Sequence, residues 1–256
     1  GEKVLIVVPD ATREVACGQV INILVRRLIA NGTSPADMSI IFATGIHRPV
    51  TEAEKAAILT PFIAQRIKTF DHGPRDISRI ARLGETRGGI PVELNRALTE
   101  NDHVILIGGI SFHYFAGFTG GRKLICPGLA ALETIKVWHG PTILEHANAR
   151  AGCLEDNPVH EENTWIARRA GCDFILNVVL DAQRRILAAV AEESADPIPV
   201  LRPARRSVAP WQRMLGPSLA AAAVALFAFS VFQLTGSVGR QPASSPQLRA
   251  EAPATA

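Results

Sequence analysis

Apolar residues along this chain fall into short unbroken runs separated by stretches of helical period. Lys3–Val8 (KVLIVV), Met38–Ala43 (MSIIFA) and His103–Ile107 (HVILI) are dominated by apolar residues, as expected of strands buried on both faces of a parallel sheet. Ile67–Phe70 reads as a shorter strand, and Phe174–Leu180 (FILNVVL) and Ile186–Val190 as two more. Between these runs, Val15–Ala30 has helical spacing and stops at Asn31-Gly32. Thr51-Glu52-Ala53-Glu54 has the form of a capping box, so a helix is predicted to start there. Further helices are predicted over Arg96–Glu100, Leu129–Trp138 and Glu162–Ala170, and the Gly- and Arg-rich stretch Gly73–Gly89 reads as loop. Strands alternating with helices predict an α/β fold: a mostly parallel sheet flanked by helices, with right-handed crossovers.

Three of the strands empty into polar loops. They are DATR (Asp10–Arg13), ATGIHR (Ala43–Arg48) and SFHYFAGFTGGRKLICPG (Ser111–Gly128). Parallel order brings such loops to one edge of the sheet, where open α/β sheets bind ligands. One site would then hold Asp10, Arg13, His47, Arg48, His113, Arg122 and Lys123. The third loop combines an imidazole, a flexible glycine backbone and two cations, which suits an anionic ligand or a phosphate. Two imidazoles on opposite sides of a substrate could remove a proton from one face and return it on the other. Each feature also has an ordinary reading. Asp10 or Thr12 could cap the following helix, His139 could sit against the end of its own helix, and Cys126 could be a small core residue before Pro127. GFTGGRK lacks the GxxxxGK[ST] spacing of a nucleoside-triphosphate loop.

Composition narrows the picture further. The chain has 256 residues, 47% of them apolar and 20% charged, with a formal charge of +3. This is an ordinary globular balance with a substantial core, and without a basic patch carrying interleaved aromatics it argues against nucleic acid as a partner. Cys17, Cys126, Cys153 and Cys172 form no CxxC pair and read as reduced thiols of a cytoplasmic domain. Gly1-Glu2-Lys3 leads straight into a strand, so no signal peptide is expected, and an opening without Met is also what a fragment would show. Asp196–Pro210 is rich in Pro and Arg, and Met214–Gly239 carries no charge. The expected organisation is an α/β domain, then a linker over 191–213, a transmembrane helix over 214–236 that would anchor the cytoplasmic domain, and a disordered tail over 237–256.

Taken together, DATR, ATGIHRPVT, HYFAGFTGGRKLICPG and the later His139, with LEDNPVHE (Leu154–Glu161) and NVVL (Asn177–Leu180), resemble the nickel-dependent lactate racemase family over its N-terminal catalytic domain. The resemblance covers roughly Gly1–Val190. It implies a racemase or epimerase of small 2-hydroxy acids. It also implies nickel held in a nickel-pincer nucleotide, pyridinium-3-thioamide-5-thiocarboxylic acid mononucleotide, joined covalently to Lys123 and delivered by cofactor-maturation enzymes. It assigns His139 to nickel, and His47 and His113 to acid–base work. Asp10, Arg13, Thr119, Gly120, Gly121 and Arg122 would line the cofactor, with Arg13 and Arg48 toward the substrate. The implied chemistry removes the hydroxyl proton to one His while the α-hydrogen leaves as hydride to the pyridinium ring. Hydride then returns to the other face of the 2-oxo acid, and the second His donates the proton. Family members carry a second α/β domain, and the resemblance stops near Ala191. The second reading is therefore a truncated or fused remnant that folds and binds cofactor without turnover.

Overall fold

A computed structural model describes residues 1–193, apart from 14, 16 and 184. Its elements run β1 (Val4–Pro9), α1 (Cys17–Ala30), β2 (Met38–Ala43), α2 (Glu52–Ile58), α3 (Pro61–Ala64), β3 (Lys68–Asp71), β4 (Ile80–Glu85), β5 (Pro91–Asn95), α4 (Ala97–Glu100) and β6 (His103–Gly109). They continue with β7 (Phe112–His113), β8 (Gly117–Phe118), α5 (Arg122–Ile125), α6 (Leu132–Trp138), α7 (Pro141–Leu144), α8 (Pro158–Ala170), β9 (Phe174–Leu180) and β10 (Ile186–Glu193). Six strands form the main sheet in the order β10-β9-β6-β1-β2-β3. All its pairings are parallel except β10 on β9, so the predicted mostly parallel α/β fold is what the chain adopts.

The apolar runs set this arrangement. β1 is buried along its whole length, and successive side chains point to opposite faces. Leu5 and Val7 pack into one core with Leu94, Leu98, Leu106, Leu124, Ile125 and Ile166, contributed in part by β5, α5 and α8. Ile6 and Val8 are equally buried, and α1 buries Val20, Ile21 and Val25. The predicted capping box is present: Thr51 accepts from the Glu54 N–H, and the Glu54 carboxylate accepts from the Thr51 N–H at 2.9 Å.

Three expectations need correction. Gly73–Gly89 is not simply loop, because β4 lies within it and pairs antiparallel with β5. This hairpin presents few buried apolar side chains (Leu83, Val92 and Leu94), its register slips between Arg82 and Glu85, and Pro91 opens β5, so no strong alternation marks it in the sequence. The helix expected from Leu129 begins only at Leu132; Ala130 bridges Leu94, and the Ala131 N–H bonds the Glu93 carbonyl. No helix N-terminus therefore stands at Leu129. The last predicted helix starts earlier, at Pro158, behind an Asn157 cap whose side chain accepts from Val159 and His160. β10 runs from Ile186 to Glu193. The rest of the linker, the helix over 214–236 and the tail lie outside the described residues. Among the described residues, no helix is long and apolar enough to cross a membrane.

One close approach joins the sheet to the Gly-rich loop. A Cβ on Gly108 would stand 2.6 Å from Asn177 Oδ1 and 3.0 Å from the Gly121 nitrogen. Gly108→Ala must push the loop off the sheet, and the expected loss is about 1–3 kcal/mol of stability, measured by denaturant unfolding. An unchanged midpoint would show that the loop is not packed this closely.

Candidate active site

Parallel pairing of β1 with β2 and β6 places Asp10, Thr44 and the loop after Gly109 beyond the same ends of three neighbouring strands. They border a cleft of about 610 Å³ whose lining includes Asp10, Arg13, His47, His113, Lys123 and His139. Among the residues proposed from sequence, Thr119 and Gly120 also reach it.

The first strand end supplies a buried carboxylate. Asp10 is 4% exposed, and its Oδ1 accepts from the Thr12 backbone N–H at 3.0 Å. Its Oδ2 accepts from His47 Nδ1 at 2.6 Å. In the neutral ring the proton on Nδ1 leaves the lone pair on Nε2, so Asp10 orients His47 as a proton acceptor. His47 itself rises from a turn in which its N–H bonds the Thr44 carbonyl, while the Gly45 N–H bonds the Gly128 carbonyl at 2.9 Å. Gly45 has φ +55°, a conformation that disfavours a side chain.

His113 is set the opposite way. It lies at the end of β7 and is 7% exposed, stacked on Tyr114 at 4.8 Å and meeting Phe115 edge-on. The Ala116 backbone N–H donates to its Nδ1 at 3.2 Å, so the neutral ring carries its proton on Nε2. Burial, then the charges of Lys123 and Arg13, push its pKa down to about 3, so the ring is neutral at ordinary pH. The two histidines are therefore an acceptor and a donor at Nε2, an asymmetry invisible in the sequence.

Lys123 sits in the four-residue helix α5 with its Nζ 5.5 Å from both the Phe115 and the Trp138 ring centroids. Burial, reinforced by Arg122 and Arg13, lowers its pKa to about 7. His139 ends α6, and its Nδ1 donates to the Ile135 carbonyl at 2.9 Å. A carbonyl only accepts, so the neutral ring keeps its lone pair on Nε2, free to bind a metal. The bond to its own helix and the ligand role, alternatives in the sequence, are thus compatible. Among the described residues no group of three or more His, Cys, Asp or Glu could hold a metal by itself. Among the described residues, therefore, His139 has no ready-made set of protein donors beside it.

Other proposed residues stand elsewhere. Arg48 is not part of the cleft lining; its guanidinium makes two bonds to Glu54, at 2.8 and 2.6 Å, at the start of α2. Arg122 is also absent from the lining and donates to the Ala116 and Phe118 carbonyls, bracing the β7–β8 turn from behind. Burial lowers its pKa to about 10. Thr119 ties its loop to the sheet, donating to the Gly109 carbonyl at 2.6 Å and accepting from the Ser111 N–H. Sequence reasoning gave no role to Asn177, whose Oδ1 accepts from the Gly121 N–H at 2.9 Å and fixes the start of α5. A polar side chain inside the apolar run FILNVVL was the available signal.

A family model described as the lactate racemase N-terminal domain matches residues 1–152. The chain belongs to this family. Lactate racemase of Thermoanaerobacterium thermosaccharolyticum is 33% identical over 193 residues, covering 75% of this chain and 45% of that protein. Lactate racemase of Lactiplantibacillus plantarum is 35% identical over 189 residues, covering 73% of this chain and 44% of that one. Among solved structures, the lactate racemase apoprotein of T. thermosaccharolyticum aligns with a TM-score of 0.73 at 33% identity, over 76% of this chain and 47% of that one. A Thermotoga maritima protein aligns with a TM-score of 0.65 at 25% identity, over 75% of this chain and 50% of that one. The chain spans less than half the length of the curated relatives it matches.

The Lys123 charge is the second cause, after burial, of the low His113 pKa. Lys123→Met is therefore expected to raise the His113 pKa from about 3 toward the ordinary 6.5, read by NMR titration of the imidazole. In the wild type the unfolded chain binds a proton near pH 6.5 that the fold refuses, so this residue's contribution lowers stability as pH falls from 6.5 toward 3. The substitution should flatten that slope. An unmoved His113 titration would show that the two groups do not interact.

Proposed function

We propose that this chain is the catalytic N-terminal part of a racemase of lactate-like 2-hydroxy acids, working with nickel in a pincer-type nucleotide held on Lys123. The observation that supports this most is the state of Lys123: an amine without a carboxylate partner among the described residues, lowered to about 7, can be acylated at neutral pH. His139 Nε2 fits a single nickel position, since imidazole suits this metal and the remaining donors would come with the nucleotide. When bound, the group supplies the acceptor for the substrate's α-hydrogen. Arg13 offers its charge to the substrate carboxylate, and the loop at Thr119 and Gly120 would lie along the nucleotide.

His47 Nε2 takes the hydroxyl proton of one enantiomer, and Asp10 holds the ring in that tautomer. His113 bonds the carbonyl oxygen of the resulting 2-oxo acid through Nε2–H. An acylated Lys123 has no charge, so attachment of the cofactor removes one of the causes that keep His113 neutral. For His113 to deliver a proton when the opposite enantiomer forms, the Ala116 N–H must also leave Nδ1, the atom at which the ring takes its second proton. The same two groups exchange roles in the reverse direction.

The reading is tested by co-expression with cofactor-maturation enzymes, followed by intact mass, nickel content and chiral assay with lactate. An adduct on Lys123 with stoichiometric nickel is expected, absent in Lys123→Ala. His47→Ala and His113→Ala should each keep the adduct and lose roughly 10²–10⁴-fold in racemisation. No adduct on the wild-type chain would overturn the cofactor reading, and full activity in both His variants would overturn their assignment. Because the chain spans under half of its relatives, an adduct and nickel without racemisation would identify the second reading, a cofactor-binding remnant.

A further inference from the structure

The lysines of the chain are Lys3, Lys55, Lys68, Lys123 and Lys136. Lys55 pairs with Glu52 and Asp71, Lys136 pairs with Glu133, and Lys3 and Lys68 are exposed. Lys123 differs from all of them. It lines the cleft between two aromatic rings, and both carboxylates of that cleft are engaged elsewhere: Asp10 by His47 and Thr12, Asp181 by Arg185 and the Gln183 N–H.

We propose that, before any cofactor is attached, Lys123 is an amine nucleophile that condenses with a 2-oxo acid to form a Schiff base in the cleft. A carbonyl beside a carboxylate is the class that this arrangement fits. Arg13, close enough to depress Lys123, meets the carboxylate, while the Nε2–H of the neutral His113 has no protein partner among the described residues and can bond the carbonyl oxygen. The rings of Phe115 and Trp138 flank the nitrogen, each with its centroid 5.5 Å away. With its pKa near 7, the nitrogen is about half neutral at pH 7, against roughly one part in three thousand for an ordinary lysine.

The step balances without an oxidant. The Nζ lone pair forms the C–N bond, a nitrogen-bound proton passes to the carbonyl oxygen, and the hydroxyl leaves as water with a second proton, giving the imine. The same nitrogen cannot then take the nucleotide, so a bound 2-oxo acid competes with cofactor attachment. The choice of acid leans on the racemase reading, whose oxidised intermediate belongs to this class; the reactivity of the amine does not.

The test uses the full chain purified without maturation enzymes, incubated with pyruvate or acetone and cyanoborohydride, and mapped by peptide mass. Pyruvate should label Lys123 at least roughly tenfold faster than the other lysines, with a midpoint near pH 7. Acetone, which lacks the carboxylate, should label Lys123 roughly tenfold less, and Arg13→Gln, which also raises the Lys123 pKa and so slows both reagents, should bring the pyruvate-to-acetone rate ratio toward one. Labelling spread evenly over the exposed lysines would overturn the proposal, and equal rates with pyruvate and acetone would overturn the 2-oxo acid as its partner. Because mapping is done on the wild-type chain, the result does not depend on a variant folding. A failure here leaves the racemase reading intact, since that reading is tested by nickel and the nucleotide adduct.

Discussion

The parallel register of β1 between β2 and β6 is the constraint on which the rest depends. Pro9 stands opposite Ala43, and Val7 opposite Leu106, so the chain leaves the sheet three times at one edge. The 2.6 Å bond between Asp10 and His47 spans 37 residues of sequence, yet it is local in the fold because each residue lies just past the end of its strand. A slip of one residue would exchange the two buried faces of these runs and separate the pair. The sheet also sets the third loop, since Gly108 and Asn177 face each other across β6 and β9 and together seat the turn at Gly120 and Gly121.

That seating has an electrostatic consequence. α5 brings Lys123 and Arg122 out of water, and Arg13 adds a third positive charge from the first loop. No carboxylate of the cleft compensates, because Asp10 and Asp181 already hold other partners. The fold therefore suppresses protonation of Lys123, and Lys123 in turn helps to suppress it in His113. Such an arrangement costs stability in full below about pH 7, and the cost fades as pH rises from about 7 toward 10.5, where the unfolded lysine also loses its proton. What is gained is a nucleophilic amine beside two imidazoles of opposite tautomer. Sites of this kind commonly sacrifice stability for chemistry.

Much of this was legible in the sequence because it rests on short-range pattern. The buried strands announce themselves as apolar runs, the Thr51 box by its spacing, and the three polar loops by following strands of one orientation. Other features depend on partners far along the chain. The β4–β5 hairpin buries only one sparse face, so its period is faint. Leu129–Ala131 is apolar enough for a helix but is captured by β5. Arg48 and Arg122 carry the charge expected of ligand-binding residues, yet Glu54 lies six residues from Arg48, and the carbonyls of the β7–β8 turn lie four to six residues from Arg122. Local bonds took both guanidinium groups. The tautomers of His47 and His113 depend on a carboxylate 37 residues away and on a single backbone N–H, and no composition or spacing encodes them.

The most direct test of the account is the titration of the Lys123 amine itself in the cofactor-free chain. Lysine labelled at Nζ and followed by NMR across pH 5 to 11, with Lys123→Arg used to assign the resonance, gives its pKa without any assay of turnover. The account predicts a midpoint near 7 for Lys123, well below the ordinary lysine value of 10.5. A Lys123 midpoint near 10 would mean that water or a counterion reaches the amine, and would contradict the uncompensated, desolvated lysine on which the cofactor and Schiff-base readings both rest.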